Sequence, residues 1–420
     1  MKSGPATPVV AVDHAALARA IEELALISEV APPVVTRVLF SEADRRGREY
    51  VRRAARAAGL TVREDAVGNI FARWPGREPA LPAVGTGSHT DAIPNAGRFD
   101  GVVGVLGGIE ALAALRRAGF QPRRSLEVVM FTAEEPTRFG LGCLGSRLMA
   151  GALSLEKARA LRDREGRSLE ELRTAAGCTG ALEAVKLPPG CYQAFVELHI
   201  EQGPLLEQAG IPIGLVEAIA GPSSYRISLR GEGGHAGAVL MPVRHDASLA
   251  AAEIALAVER GAKESGSPDT VGTTGVWRIE PGAINSVPYF AQIEIDLRDT
   301  RLDSRDRAFA FIRAAAEESG RRRGVTCEFS EINADPPAAG DPATIAIAER
   351  ACAELGVRCR RMVSRAYHDS LFMARICPTT MIFIPCRNGW SHRPEEFAEA
   401  GHIATGTEVL ARTLAALATS

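Results

Sequence analysis

The chain has 420 residues, is 46% apolar and 24% charged, and carries 49 Lys+Arg against 51 Asp+Glu. This composition suits a globular protein of about two domains and excludes a disordered one. The balanced charge lacks the basic excess of a nucleic-acid binder, and no run approaches the roughly 18 apolar residues of a membrane span, so neither partner is expected. Eight cysteines without a CxxC pair suit reduced thiols, and Met1 to Asp13 carry no signal-peptide pattern, so the expected location is cytoplasmic.

In chain order, apolar residues recur at helical spacing through Leu17, Ile21 and Leu24 and again through Val51, Ala54 and Ala58. They predict helices between 14 and 58, the last ending at Gly59. Strands are expected at 60–63 and 69–74, at 83–88 running into His89, and at 126–132 running towards Glu134. A helix is expected over 102–115. Gly101, Gly104, Gly107 and Gly108 superficially suggest a dinucleotide loop, but Arg123-Arg124 stand where its acid belongs, and helix packing explains them better. Strands alternating with helices predict an α/β fold: a mostly parallel sheet covered by helices on both faces.

Near residue 216 the texture changes. Strands at 225–230, 271–279 and 290–298 with helices at 246–260 and 308–318 predict a compact α+β unit. A Pro/Ala-rich stretch, 334–342, reads as the linker back, followed by a helix over 343–355 and a strand over 379–385. The expected organisation is a discontinuous catalytic domain, 1–216 and 334–420, with a smaller domain, 217–333, inserted in it.

Histidines and acids cluster at predicted strand ends: Ser88-His89-Thr90-Asp91, Phe99-Asp100-Gly101, Glu134-Glu135, and His199-Ile200-Glu201-Gln202-Gly203-Pro204. The carboxyl ends of parallel strands converge on one crevice, so such residues can meet there. Two histidines and several carboxylates in one cleft describe a site for Zn²⁺ or Mn²⁺.

The ordered set His89-x-Asp91, Phe99-Asp100-Gly101, Glu134-Glu135, His199 and Ser391-His392 resembles the dinuclear metallohydrolases related to aminoacylases and metallo-carboxypeptidases, over nearly the whole chain. The words around His199 and Gly234-His235-Ala236-Gly237 resemble the branch acting on ureido compounds. That branch holds N-carbamoyl-amino-acid hydrolases, β-ureidopropionases, allantoate amidohydrolases and ureidoglycolate amidohydrolases. The segments 233–242 and 364–373 are most similar to the ureidoglycolate amidohydrolases.

The resemblance implies a zinc-exopeptidase-like fold whose inserted domain serves as a lid and dimerisation domain. It implies two divalent metal ions, Mn²⁺ favoured and Zn²⁺ possible. His89 and His199 would hold one, Glu135 and His392 the other, and Asp100 both, with a cis peptide following Asp100. Asp91 would accept the second ring N–H of His89. Glu134 would be the general base for a water activated between the cations.

The substrate would be a small carboxylate-bearing ureido compound. Arg298 would clamp its carboxylate, Asn285, Gln202 and His368 would contact it, and His235 would stabilise the oxyanion. In such enzymes that histidine comes from the partner subunit, which implies a homodimer. The reaction implied is hydrolysis of the ureido C–N bond of (S)-ureidoglycolate to glyoxylate, ammonia and carbon dioxide. An N-carbamoyl-L-amino-acid hydrolase, an allantoate amidohydrolase and a non-catalytic binder that kept the fold remain the alternatives.

Overall fold

The computed structural model describes residues 10–419. The strands that organise it are β1 Thr61–Glu64, β2 Ile70–Trp74, β3 Ala83–His89, β4 Leu126–Phe131, β5 Tyr192–Ile200, β6 Ile213–Ile219, β7 Gly221–Arg230, β8 Val271–Glu280, β9 Phe290–Asp299, β10 Thr326–Ala334, β11 Ala338–Ala339, β12 Cys359–Ser364 and β13 Thr379–Ile384. The long helices are α1 His14–Ala25, α2 Glu42–Ala57, α3 Val102–Arg117, α4 Ala247–Lys263, α5 Leu302–Arg323, α6 Pro342–Glu354 and α7 Ala400–Thr419. The chain divides into two compact units. One holds the described residues through Glu217 with Ala339–Met362 and 368–419; the other holds Ala218–Ala338 and Val363–Tyr367.

The first unit is built on a nine-stranded sheet of order β11-β6-β13-β5-β3-β4-β2-β1, with β12 paired to β6. Its centre, β13, β5, β3 and β4, is parallel. The flanking pairs β6–β13, β2–β4 and β1–β2 are antiparallel. Central strands must bury both faces, and β4 (Leu-Glu-Val-Val-Met-Phe) is buried at every position. Val128 and Met130 join a core with α1, α3, α6 and α7, through residues such as Ile21, Val103, Ile345 and Leu410. Val129 and Phe131 join a second core with Leu144, Leu148, Leu169 and Met373 from short helices and loops. Side chains alternate across a strand, so on β5 Val196, Leu198 and Ile200 face the long helices, leaving Glu197 and His199 at the other register positions.

Helix ends follow the sequence. Ser41 caps α2 by accepting from Asp44 N at 3.2 Å. Asp341 caps α6, with Pro342 in its first turn, by accepting from Thr344 N at 2.8 Å. Gly104 lets α3 lie against the sheet: a Cβ there would come 2.4 Å from the carbonyl of Leu198 and 2.6 Å from Cβ of Ser88. The glycines of this helix are packing residues.

The second unit is a four-stranded antiparallel sheet, β8-β9-β7-β10, covered on one face by α4 and α5. Ala291, Ile293, Ile295 and Leu297 of β9 meet Ile254, Val258, Ala308 and Ile312 of the helices. A separate two-residue ladder pairs Gly234–His235 with Ser286–Val287.

Several details differ from the sequence expectation. The helical stretch 14–58 contains a short strand, Val35–Arg37. The helix expected over 308–318 extends over the whole of α5. β10 and α7 were not anticipated. The supposed linker is partly ordered in strands, since Ala334 closes β10 and Ala338–Ala339 form β11.

Replacing Gly104 with valine forces a branched side chain into backbone of the central sheet. We expect a loss of about 1–3 kcal/mol or more, read as a lowered denaturation midpoint.

Candidate metal centre

Strands β3, β4 and β5 deliver His89, Asp91, Glu134, Glu135, His199 and Gln202 at or just beyond their carboxyl ends. Asp100 lies in the loop before α3, and His392 in the loop after β13. The structure brings these together. Donor atoms of His89, Asp100 and His199 lie within 4.8 Å of one another, and so do those of Asp100, Glu135 and His392. Asp100 is common to both groups. Its Oδ1 stands 3.1 Å from His199 Nε2 and 3.7 Å from His89 Nε2, and its Oδ2 3.4 Å from His392 Nε2. His392 Nε2 is also 3.2 Å from Glu135 Oε1.

The imidazoles are oriented from behind. His89 Nδ1 donates to the carbonyl of Asp91 at 3.0 Å, and His199 Nδ1 to the carbonyl of Ile200 at 2.8 Å. Both rings therefore present Nε2 to Asp100, as ligand histidines do. The Asp91 carboxylate acts differently from expectation. Its Oδ1 is 3.6 Å from His89 Nδ1, too far for a hydrogen bond. Instead Asp91 accepts from the backbone N–H groups of Glu134 and Glu135, at 3.3 and 3.0 Å. It ties β3 to β4 and fixes the two acids, while its backbone carbonyl orients His89.

The peptide after Asp100 is not among the cis bonds of the described residues, which are Pro32-Pro33 and Glu280-Pro281. Gly101 instead has φ +67°, and a Cβ there would come 2.4 Å from the His89 ring. Four non-glycine residues at the centre or beside it also adopt left-handed backbone: Ala133, Cys143, Gln202 and His392, with φ of 54–58°.

The electrostatics of the site suit a partner of positive charge. Burial pushes the Glu134 carboxyl well above the usual range; His89 opposes this, and Glu135, Asp369 and Asp100 add to it. Burial and nearby Glu197 push Asp369 up to about 8, against His89. Burial favours neutral Asp100 too, but the hydrogen bonds of His199, His392 and His89 hold it well below the carboxylate range. Hydrogen bonds and charge from Asp100 and Glu135 hold the half-exposed His392 imidazole up at about 11, against partial desolvation. Acids concentrated this way are stabilised by cations, which must displace the imidazole protons to bind. Histidine nitrogens and carboxylates in two overlapping groups are the donor set of divalent ions such as Mn²⁺ or Zn²⁺, so the residues fit the implied group.

Gln202 Nε2 donates to Asp100 Oδ2 at 2.7 Å, and Gln202 Oε1 is buried without a hydrogen-bond partner among the described residues. Glu201, in the same motif, is structural: it accepts from Leu205 N and Leu206 N, both at 2.8 Å. His368 is buried, its ring edge-on to His199 with centroids 4.6 Å apart.

In the second unit, the small ladder sets His235 opposite Ser286, and Ala236 N donates to Asn285 O at 2.9 Å. His235 and Asn285 are thus held side by side. His235 Nδ1 accepts from Gly237 N at 3.1 Å, which leaves Nε2 as the protonated, donating nitrogen. Arg298 Nε donates to Asp296 at 2.6 Å, and its guanidinium lies 5.1 Å over the Tyr367 ring. His245 is structural, with Nδ1 donating to the Arg323 carbonyl at 2.8 Å.

Sequence reasoning missed three supporting residues. Arg37, 1% exposed, donates to the carbonyls of Thr90 and Leu24, each at 2.6 Å. Asp369 accepts from Ser146 at 2.5 Å. Glu396 lies beside Asp100. Its only sequence signal is the acid pair Glu395-Glu396 just after His392.

The sequence profile of peptidase family M20/M25/M40 matches residues 85–416. A ureidoglycolate hydrolase of Oryza sativa subsp. japonica is 53% identical over 99% of this chain and 87% of its own length. An N-carbamoyl-L-amino acid amidohydrolase of Geobacillus stearothermophilus is 40% identical, covering 91% of this chain and 93% of its own. The crystal structure of AtUAH in complex with (S)-hydroxyglycine superposes with a TM-score of 0.91 at 52% identity, covering 97% of this chain and 98% of that one; AtUAH has also been crystallised with glyoxylate.

Because folded protein alone presents this donor set, divalent ions should stabilise it. With free Mn²⁺ at 100 times its Kd we expect about 2.7 kcal/mol per site, read as a raised melting temperature that EDTA reverses.

Proposed function

Since the chain belongs to peptidase family M20/M25/M40, we propose that it is a two-ion amidohydrolase that hydrolyses the ureido C–N bond of (S)-ureidoglycolate, yielding glyoxylate, ammonia and carbon dioxide. The observation that carries this reading is the overlap of two donor groups at Asp100 with Glu134 alongside, 3.7 Å from His89 Nε2. The choice of substrate is supported by the ureidoglycolate hydrolases among its relatives and by the glyoxylate and (S)-hydroxyglycine held by AtUAH.

His89, His199 and Asp100 would hold one ion, and Asp100, Glu135 and His392 the other. Mn²⁺ is our preferred occupant and Zn²⁺ the alternative. Bound divalent ions supply Lewis acidity to a carbonyl oxygen and lower the pKa of water. Glu134, which belongs to neither donor group, takes the proton from the attacking water and returns it to the departing nitrogen.

Arg298, fixed in place by Asp296 and Tyr367, binds the substrate carboxylate. Asn285 and Gln202 Oε1 hydrogen-bond the substrate, and the Nε2–H of His235 is the oxyanion donor. His368, buried against His199, supports that ring in this reading instead of touching substrate.

We also propose a cytoplasmic homodimer formed through the second unit. All eight cysteines are free, as a reducing compartment allows. Edge strand β8 exposes Val276, Trp277 and Ile279, and α4 exposes Leu249 and Leu256. Exposed apolar residues on an unpaired edge suit a self-complementary interface.

Incubating Mn²⁺-loaded protein with (S)-ureidoglycolate, allantoate and a set of N-carbamoyl-L-amino acids decides the substrate. We expect ammonia and glyoxylate from ureidoglycolate at the highest kcat/KM. Faster turnover of a carbamoyl amino acid overturns the assignment. Glu134→Gln should lower kcat about 10²–10⁴-fold while keeping its metal content; near-normal turnover removes Glu134 from the mechanism. Sedimentation of the Leu256→Glu, Trp277→Glu double variant should give a monomer where the unmodified chain gives a dimer.

A further inference from the structure

The two loops that complete the centre come from opposite ends of the chain. Asp100 precedes α3, and His392 follows β13. The strand Ala92–Ala96 ahead of Asp100 pairs with Val35–Arg37, but among the described residues no strand pairing joins the two loops to each other, and their separation sets the span between the two donor groups. One side chain joins them. Glu396 is 3% exposed. Its Oε1 accepts from the backbone N–H of Phe99 at 2.7 Å and of Asp100 at 3.1 Å. Its Oε2 lies 2.9 Å from Ser391 Oγ, and that hydroxyl lies 2.5 Å from Asp100 Oδ2. Beside this, Phe99 packs edge-to-face on Phe397 with centroids 5.8 Å apart. Glu396 N donates to Arg393 O at 3.1 Å, so the turn that carries the carboxylate starts right after His392.

We infer that Glu396 is a positioning residue of the metal centre: it fastens the Asp100 peptide to the Ser391-His392 loop and so fixes the spacing of the donor group formed by Asp100, Glu135 and His392. Glu396 donates no ligand atom to either donor group. It acts through the backbone of one ligand residue and the neighbour of another. Buried peptide N–H groups at Phe99 and Asp100 would otherwise lack an acceptor, so its loss frees the loop that carries the shared carboxylate. Nothing equivalent is needed for His89 and His199, which sit on adjacent parallel strands.

This inference rests on the two-ion reading, and one set of measurements separates them. Protein stripped with EDTA is titrated with MnCl₂, and separately with ZnCl₂, by calorimetry, with circular dichroism as the folding control. Unmodified protein should bind two ions; binding of fewer overturns the two-ion reading itself. With two ions bound, Glu396→Ala should weaken the site of Asp100, Glu135 and His392 roughly 10–100-fold, and the other, which shares Asp100 but keeps two strand-borne histidines, by clearly less. Glu396→Gln keeps an acceptor oxygen for Phe99 N and Asp100 N, and should hold both affinities close to those of the unmodified protein. Two full-strength sites in Glu396→Ala, or equal weakening of both sites, overturns the proposal. If Glu396→Ala does not fold, Glu396→Gln decides: retained affinity supports the assignment, and a tenfold loss rejects it.

Discussion

The attraction between the Asp100 carboxylate and three imidazoles is the interaction on which this structure turns. His89, His199 and His392 reach the chain from three different segments, and all three point Nε2 at that one side chain. Around them stand Glu134, Glu135, Asp91, Asp369 and Glu197, all buried. Water cannot screen these acids, so their charge must be met by protons or by cations. The same groups therefore govern both folding and ligand uptake.

The fold meets that demand by making the surroundings stiff. Three adjacent parallel strands end together and fix six of the residues involved. Asp91 then stitches one strand end to the next through two backbone N–H groups. Arg37 grips the carbonyl of Thr90, between His89 and Asp91, from within the core. Burial lowers its guanidinium to about 10, opposed by Asp44 and Asp91, so it remains a cation at neutral pH and adds a positive charge close to the acids. Side chains that bind nothing themselves decide where the binding atoms stand.

Much of this could be read in advance, because the features with strong local signatures are those the sequence writes plainly. The short β-branched and aromatic run Val128-Val129-Met130-Phe131 reads as a strand buried on both faces, and His-x-Asp, Glu-Glu and His-Ile-Glu-Gln mark the strand ends. Less legible elements lack such signatures. β10 alternates between half-buried and exposed positions, with Glu, Ser and Asn among its residues, and reads like a loop. α7 is buried along most of its length, so no polar stripe betrays its period, and threonines and glycines dilute its helical character. Asp91 is legible as a site residue, but its nearness to His89 in sequence points to a ring contact, while the fold offers it two backbone N–H groups instead. Glu396 depends on a pairing across 296 residues, and no local pattern can announce that.

The left-handed backbone at Ala133, Cys143, Gln202 and His392 has a consequence for how this protein can be altered. Each such residue carries strain of order 1–3 kcal/mol, maintained by the packing around it. Glycine at these positions would relieve the strain, but it would also widen the unfolded ensemble and slacken the loop that presents the side chain. Thermal hardening by backbone relaxation is thus self-defeating in this neighbourhood. Gains in heat tolerance are better sought on the exposed faces of the helices, away from the strand ends, where propensity can be improved without loosening the chemistry.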